Sequence, residues 1–270
     1  MILKAISLHS VVPVRTEPEE GAEQSTQMLF GETCTILEQK PRWNRVKLHL
    51  DGQEGWVDAK MIAPMSADEY KTYKDACLAC AMVIFPIAYA VSENNGQTIP
   101  LTAGTRLTNY KDGRFEVLGV GFRIDPSMVS VHCLVLNEET LQRTVRFFLN
   151  VPYLWGGKNA LGMDCSGFTQ TILGLFGKKL LRNASEQVTQ GRRITDLQKA
   201  KAGDLAFFDH VGLDDGVANP DRISHVGIVL DSKRIIHCSG RVKVEKLDET
   251  GIFNAETGQY SHHLVSIRRI

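Results

Sequence analysis

The amino-acid sequence predicts an α+β protein with small all-β units in its first half and a mixed domain in its second half. Up to about residue 135, short strand-like runs alternate with turn residues such as Gly, Pro and Asp. From Asn137 onward, helical runs precede strand-like segments at 204–208, 225–230, 235–239 and 263–269. Helices followed by an antiparallel sheet are typical of an α+β fold rather than of a parallel doubly wound sheet.

Each element has its own signal. Short strand-like runs at 10–15, 27–30, 34–39, 45–50 and 55–58, with turn residues between them, predict strands of a first β unit. Ser66 and Glu69 form a capping-box pattern that starts a helix reaching about residue 81. Strand-like runs at 83–91, 98–101, 104–108, 115–120 and 128–131 predict a second β unit. We therefore expect three domains, at residues 1–65, 66–135 and 136–270.

The overall charge of the chain excludes some classes of partner. Lys and Arg number 31, as do Asp and Glu, so no net field favours nucleic acid or an anionic membrane. No apolar run reaches the roughly 18–20 residues that a membrane-spanning helix needs. The apolar region at the N-terminus is too short for a signal peptide. We expect a cytoplasmic monomer, or a periplasmic or extracellular protein if a leader was removed.

The six cysteines are scattered along the chain, which suits a reducing compartment better than a disulfide framework. Cys77 and Cys80 have the spacing of a metal or redox pair, but no second pair follows them. We interpret both as buried thiols. No metal or other cofactor is expected.

Four segments of the first β unit resemble the bacterial SH3-like barrel. They are Val12-Pro-Val-Arg-Thr-Glu-Pro18, Leu29-Phe-Gly-Glu32, Trp43-Asn-Arg-Val-Lys47 and Glu54-Gly-Trp-Val57. The segment Leu101–Tyr110 echoes the second of these, so the region from about 82 to 135 resembles a second, divergent barrel. The resemblance implies modules that target the cell wall or gate a substrate groove.

Cys165 combines the features of a nucleophile. It lies between a Gly-rich loop and an apolar run that Gly177 ends, which predicts a helix beginning near Cys165. At a helix N-terminus, the dipole and the unpaired backbone N–H groups stabilise a thiolate and can receive an oxyanion. A cysteine at a helix start is more often structural, so this position alone decides nothing.

Two predicted strands supply a base for this thiol. If residues 231–233 form a three-residue turn, Leu230 opposes Arg234 and Gly227 opposes His237. Alternation then places His225 and His237 on one face as diagonal neighbours, so that one imidazole faces the cysteine and the second orients it. A four-residue turn would separate them. A zinc site with Cys238 is the alternative, but Cys238 adjoins His237 and points to the other face.

Six blocks from about residue 137 to 270 resemble the NlpC family of papain-like cysteine peptidases. They are Tyr153-Leu-Trp-Gly-Gly157, Asp164-Cys-Ser-Gly-Phe168, Arg182-Asn-Ala-Ser-Glu-Gln187, Ala202-Gly-Asp-Leu205, Ser224-His-Val-Gly-Ile228 and Ile236-His237. The resemblance implies a papain-like fold that hydrolyses murein peptides. It also implies a catalytic triad of Cys165, His225 and His237, oxyanion support from Tyr153, and substrate contacts from Asp164 and Ser166.

The arrangement of two SH3-like barrels ahead of such a domain resembles that of the γ-D-glutamyl-L-diamino acid endopeptidases. This resemblance implies cleavage of murein peptides with a free N-terminal L-Ala, whose ammonium is held by an acidic group and a tyrosine. Glu54 and Tyr89 are the candidates, although a surface Glu and a core Tyr are equally good interpretations. The remaining alternatives are an amidase or endopeptidase acting on intact peptidoglycan, and a wall-binding protein without activity.

Overall fold

The computed structural model describes residues 3–77, 81–210 and 222–270. The chain divides into two compact units. Unit 1 comprises Met1–Cys133 and Trp155–Ala160, and unit 2 comprises Leu134–Leu154 and Leu161–Ile270. The predicted fold class is confirmed, since all-β modules precede an α+β domain. The boundary predicted between the two β modules near residue 65 stays a prediction.

The first part of unit 1 is a small β-barrel whose strands pair in the order β3-β2-β6-β5-β4-β1-β7. Its inward residues, among them Val12, Val14 and Val46, are fully buried. Buried residues alternate with partly buried ones along β2 and with exposed ones along most of β5, which explains why these segments read as strands in the sequence. The strands are β1 (Leu3–Ser7), β2 (Val11–Arg15), β3 (Gln24–Leu29), β4 (Thr33–Gln39), β5 (Trp43–Leu48), β6 (Glu54–Asp58) and β7 (Ile62–Met65).

The second part of unit 1 begins with the helix α1 (Ala67–Cys77), which starts at the predicted capping box. The Ser66 backbone N–H donates to Glu69 over 2.8 Å, and the Glu69 N–H donates to the Ser66 hydroxyl over 3.2 Å. Two small sheets follow, in the orders β10-β9-β13-β12 and β11-β8-β14. Their strands are β8 (Ala81–Val83), β9 (Ile87–Ser92), β10 (Thr98–Thr102), β11 (Arg106–Leu107), β12 (Arg114–Val117), β13 (Val120–Ile124) and β14 (Val129–Ser130).

Two strand predictions in this part were wrong. The run 115–120 is not one strand, because Leu118 and Gly119 both have positive φ and form a tight hairpin turn between β12 and β13. Leucine seldom occupies the first of these positions, so Leu118-Gly119 does not have the usual sequence of a two-residue hairpin turn. The run 83–91 is likewise split into β8 and β9 on either side of Pro86, which cannot donate a ladder hydrogen bond.

Unit 1 also contains the segment Trp155–Ala160, which includes β15 (Lys158–Asn159). Lys158 is 2% exposed, and its ammonium donates to both carboxylate oxygens of Glu32 over 2.8 and 2.9 Å. The Lys158 backbone N–H and the Asn159 amide both donate to the Gln27 side-chain oxygen, over 3.0 and 2.8 Å. Polar contacts therefore hold this segment on the barrel strand β3 and the turn after it.

Unit 2 is built from helices and one antiparallel sheet of order β17-β23-β18-β19-β20-β21-β22. Its core includes Phe208, Val229 and Ile235. The elements are α2 (Glu138–Val145), β16 (Gly162–Met163), α3 (Cys165–Leu175), α4 (Ala184–Gln187), β17 (Arg192–Ile194), β18 (Leu205–His210), β19 (His225–Asp231), β20 (Arg234–Ser239), β21 (Arg241–Leu247), β22 (Gly251–Asn254) and β23 (Gln259–Arg269). Across the described ranges, no helix is both long and apolar enough to cross a membrane.

Candidate active site

Cys165 is the first residue of α3, as the sequence predicts. Asp164 caps this helix, because its side chain accepts the Gly167 backbone N–H over 2.6 Å. Cys165 is 8% exposed, and its sulfur accepts backbone N–H groups from Ser166 and from Val226, the second residue of β19. The thiol therefore lies at the meeting point of the helix N-terminus and the strand that carries His225.

Burial and the Asp164 carboxylate raise the pKa of Cys165 to about 11. The N–H groups of Val226 and Ser166 and the Arg182 guanidinium lower it, but by less. The helix start thus acts in the predicted direction without being sufficient. At neutral pH the isolated thiol keeps its proton, so a nucleophile at this position needs a base beside it.

The two histidines lie together as the hairpin argument predicts. Gly227 opposes His237, Val229 opposes Ile235, and the His225 Nε2 atom lies 2.8 Å from His237 Nδ1. The predicted turn was wrong in detail, because Asp231 and not Leu230 opposes Arg234. The turn has two residues, and a bulge at Leu230 restores the parity that keeps both histidines on one face.

Glu245 extends this pair into a row of three. The His237 Nε2 atom lies 2.8 Å from the Glu245 carboxylate, which Lys243 also contacts at 3.1 Å. Burial raises the pKa of Glu245, but the hydrogen bonds from His237 and Lys243 outweigh it and leave this pKa below its usual value. Burial lowers the pKa of His237, although Glu245 opposes that shift. The row therefore contains a carboxylate and a neutral central imidazole.

This charge state fixes the proton positions. A carboxylate only accepts, so His237 donates from Nε2 to Glu245 and its Nδ1 must accept. His225 then donates from Nε2 to His237, which leaves the lone pair of the neutral His225 ring on Nδ1. The nitrogen of His225 that can take a proton is thus the one not turned towards His237.

Tyr153 lies close enough to the thiol for their charges to interact. Burial, then the negative charges of Cys165 and Asp164, raise the pKa of its phenol. Its backbone N–H donates to the Gly240 carbonyl over 2.9 Å, which ties its loop to the end of β20. The hydroxyl therefore stays protonated at neutral pH and can donate to an oxyanion.

Asp164 and Ser166 are held by the buried guanidinium of Arg182. Its two terminal nitrogens donate to the two Asp164 oxygens over 2.9 and 2.5 Å, and one of them donates to the Ser166 hydroxyl over 2.9 Å. Gln187 donates to the Ser166 carbonyl over 3.1 Å. The block from Arg182 to Gln187 thus supports the start of α3, and any substrate contact of Asp164 and Ser166 stays a prediction.

The two residues proposed for the substrate ammonium lie in unit 1. Glu54 is on β6, where Arg45 and Lys47 contact its carboxylate at 3.0 and 3.4 Å. Tyr89 is on β9 with 63% of its surface exposed. Two cations already balance Glu54, so an ammonium would have to compete with them.

The structure describes two of the three cysteines for which the sequence suggested a metal or redox role, Cys238 and Cys77. Cys238 donates to the Met163 carbonyl over 3.1 Å, on the face of β20 opposite to His237. Within the described ranges, no three His, Cys, Asp or Glu side chains are arranged to hold a metal ion. Cys77 is partly buried, and Cys80 lies outside the described residues.

Sequence reasoning missed two residues of the site, Glu245 and His262. Glu245 is two positions along β21 from Lys243, the residue that opposes His237. The alternation Lys243-Val-Glu245 was its only signal. His262 lies on β23 with its ring 4.2 Å from that of His225, centroid to centroid. The only hint was that β23 carries two adjacent histidines.

The comparisons with known proteins agree with this geometry. Residues 150–266 match the NlpC/P60 family, and residues 14–62 match the bacterial dipeptidyl-peptidase Sh3 domain. The dipeptidyl-peptidase 6 of Lysinibacillus sphaericus is 30% identical over 92% of this chain and 93% of its own length. The chain therefore belongs to the NlpC/P60 family, and it is a cysteine peptidase.

Two further proteins are similar to this chain over most of its length. The γ-D-glutamyl-L-lysine dipeptidyl-peptidase of Bacillus subtilis strain 168 is 29% identical over 78% of this chain and 71% of its own length. The crystal structure of an NlpC/P60 family protein from Bacillus cereus ATCC 10987 superimposes with a TM-score of 0.81 at 21% identity, covering 98% of this chain and 99% of that one. The second likeness shows that the whole chain shares that fold.

Proposed function

We propose that this chain hydrolyses the bond between γ-D-glutamate and a diamino acid in murein peptides that carry a free N-terminal L-Ala. The observation that carries the proposal is the row His225–His237–Glu245, because His225 directly precedes Val226, whose backbone N–H donates to the Cys165 sulfur. The name of the relative from Bacillus subtilis supports the substrate class.

The first step joins the enzyme to the substrate. His225 Nδ1 takes the proton from the Cys165 sulfur, and the thiolate attacks the γ-carbonyl carbon of D-glutamate. A C–S bond forms while the carbonyl π electrons move to oxygen. The positive charge on His225 is balanced through His237 by the Glu245 carboxylate.

The second step releases the two products in turn. The oxyanion accepts hydrogen bonds from the Cys165 backbone N–H and the Tyr153 hydroxyl, then collapses and breaks the C–N bond. The diamino-acid amine leaves with the proton from His225. Water then gives a proton back to His225 and attacks the thioester, which frees the new γ-carboxylate and restores the thiol.

The requirement for a free amine depends on Glu54 and Tyr89. A substrate ammonium that is partly removed from water needs a carboxylate partner. Glu54 can fill that role only by exchanging Arg45 or Lys47 for the ligand. Glu54→Gln should then raise KM for the free-amine peptide while leaving kcat nearly unchanged.

The test is a mass-spectrometric digest of defined peptides. L-Ala-γ-D-Glu-diaminopimelate and the corresponding L-Lys peptide are compared with their N-acetylated forms and with sugar-linked murein. We expect cleavage at the γ-D-glutamyl bond of the free-amine peptides only. Cys165→Ala should abolish it, whereas Cys133→Ala, at an exposed cysteine, should leave it intact.

Two results would contradict the proposal. Equal cleavage of the N-acetylated or sugar-linked forms would remove the free-amine requirement and indicate an enzyme of intact peptidoglycan. Turnover retained in pure Cys165→Ala would remove the nucleophile.

A further inference from the structure

His262 is a buried histidine that the steps above do not use. It lies on β23, is 4% exposed, and its Nδ1 atom is 2.9 Å from the Ser261 hydroxyl. Ser261 is an extra residue in the pairing of β23 with β22, since Ile252 opposes His262 and Phe253 opposes Tyr260. Bulges next to active sites commonly redirect side chains, and this one helps to place His262 among the site histidines.

The His262 ring stacks on the ring of His225. Their centroids are 4.2 Å apart, and their planes differ by only 26°. The other neighbours of His225 approach differently, because His237 meets it edge to face at 5.0 Å and Phe208 is tilted at 6.1 Å. The contacts that orient the His225 ring thus include the hydrogen bond to His237, the His262 ring against one face and the nearby Phe208 ring.

Such an arrangement has two physical consequences for a base. A hydrogen bond at Nε2 does not by itself stop the His225 ring from turning about the axis of that bond. A second ring stacked on its face restricts this rotation. In addition, His225 becomes a cation when it takes the thiol proton, and the face of an aromatic ring attracts a cation. Both effects favour the state in which Nδ1 carries the proton from Cys165.

We propose that His262 is a positioning residue of this peptidase, whose stacked ring orients His225 and stabilises its imidazolium when Cys165 is deprotonated. This role rests on the proposed function of His225 as the base. It assigns the contribution of His262 to its ring face rather than to its hydrogen bond with Ser261. The rings of His225 and His237 lie 4.2 and 5.9 Å from the His262 ring, centroid to centroid, and His210 on β18 opposes His262 in the sheet. Asp209, also on β18, pairs with Arg222 at 2.9 Å.

A matched pair of variants separates the ring from the hydrogen bond. His262→Leu and His262→Phe both remove the Nδ1 contact with Ser261, but only Phe keeps an aromatic face. For each variant of the full chain, kcat and KM are measured on the substrate peptide that the wild type cleaves. The rate at which iodoacetamide alkylates Cys165 at pH 7 is followed by mass spectrometry of the proteolytic fragment that contains Cys165. Thermal unfolding is recorded alongside.

We expect His262→Leu to lower kcat and the alkylation rate by roughly tenfold, with KM nearly unchanged, and His262→Phe to restore most of both. If the Leu variant does not fold, His262→Gln replaces it, since Gln also lacks a ring. A non-aromatic variant with wild-type rates would overturn the proposal. A Phe variant as slow as the non-aromatic one would overturn it too, because the hydrogen bond would then be the important contact.

Failure of the proposed function gives a different result. His225→Ala, measured in parallel, should slow the alkylation of Cys165 strongly. If His225→Ala is alkylated at the wild-type rate, His225 is not the base, and both the proposed mechanism and the role of His262 are wrong. If His225→Ala slows the alkylation of Cys165 but the His262 variants keep wild-type rates, the mechanism stands and the inference about His262 fails.

Discussion

At the scale of single residues, the candidate site is a balance between burial and hydrogen bonding. Burial raises the pKa of the Cys165 thiol to about 11, and the backbone N–H groups at the start of α3 do not offset it. The cost of forming a thiolate must then be met by a base whose charge is itself compensated. The row His225–His237–Glu245 meets this need, because it ends in a carboxylate.

Removing the base should therefore expose the acidity of the isolated thiol. In His225→Ala, a thiol of pKa about 11 is ionised to only about one part in 10⁴ at pH 7. We expect kcat/KM at pH 7 to fall by about 10³–10⁴-fold and then to rise about tenfold per pH unit between pH 7 and 10, since the thiolate fraction grows with pH. The wild type should show no such rise.

Initial rates on the cleaved peptide across this pH range check the expectation. His132→Ala, at an exposed histidine, provides the matched control. A flat profile in His225→Ala would mean that another group accepts the proton.

Some of these residues could be predicted from the sequence and others could not. Alternation within one hairpin was enough to pair His225 with His237, because strand parity depends only on residues close in sequence. Glu245 lies on β21, which a tight turn at Gly240 joins to β20, so the same parity argument could have found it. His262 lies on β23, whose pairing with β18 joins residues far apart in the sequence and has no local signal. The link from Arg182 to Asp164 spans 18 residues of loop and helix, and no local periodicity reports it.

At the scale of elements, the start of α3 depends on one buried ion pair. Arg182 is 1% exposed, and it bridges the helix cap Asp164 and the hydroxyl of Ser166 on either side of the nucleophile. Removing one partner of such a pair leaves a buried charge without compensation, which costs about 3–5 kcal/mol. The position of Cys165 thus depends on a residue that takes no part in the chemistry.

Arg182→Met should lower the free energy of unfolding by about 3–5 kcal/mol, because it strands the Asp164 carboxylate. The double variant Asp164→Asn/Arg182→Met should recover part of this loss, since Asn still caps the helix but carries no charge. Urea unfolding followed by circular dichroism measures both. Arg234→Met, which breaks the exposed pair with Asp231, is the control, with an expected cost of about 0–1 kcal/mol. A loss in the double variant as large as in the single one would contradict the charge argument.

At the scale of the whole molecule, the motif Tyr153-Leu-Trp-Gly-Gly157 is divided between the two units. Tyr153 and Leu154 belong to unit 2, whereas Trp155–Ala160 belongs to unit 1. This division could not be predicted from the sequence, because Trp155-Gly-Gly157 and Tyr153 read as parts of one loop. What assigns the segment to unit 1 is a set of contacts with residues more than 120 positions earlier, such as Lys158 with Glu32.

The pair of Lys158 and Glu32 should be the main anchor of that segment. Lys158→Met keeps most of the buried side chain but leaves Glu32, which is 21% exposed on its side chain, without its cation. We expect faster backbone hydrogen exchange in residues 155–160 and 29–33, together with a lower unfolding temperature, and partial recovery in Glu32→Gln/Lys158→Met. Lys47→Met, which removes an exposed partner of Glu54, should change neither segment. Unchanged exchange at 155–160 in Lys158→Met would show that the Gln27 hydrogen bonds to Lys158 and Asn159 are sufficient to hold the segment.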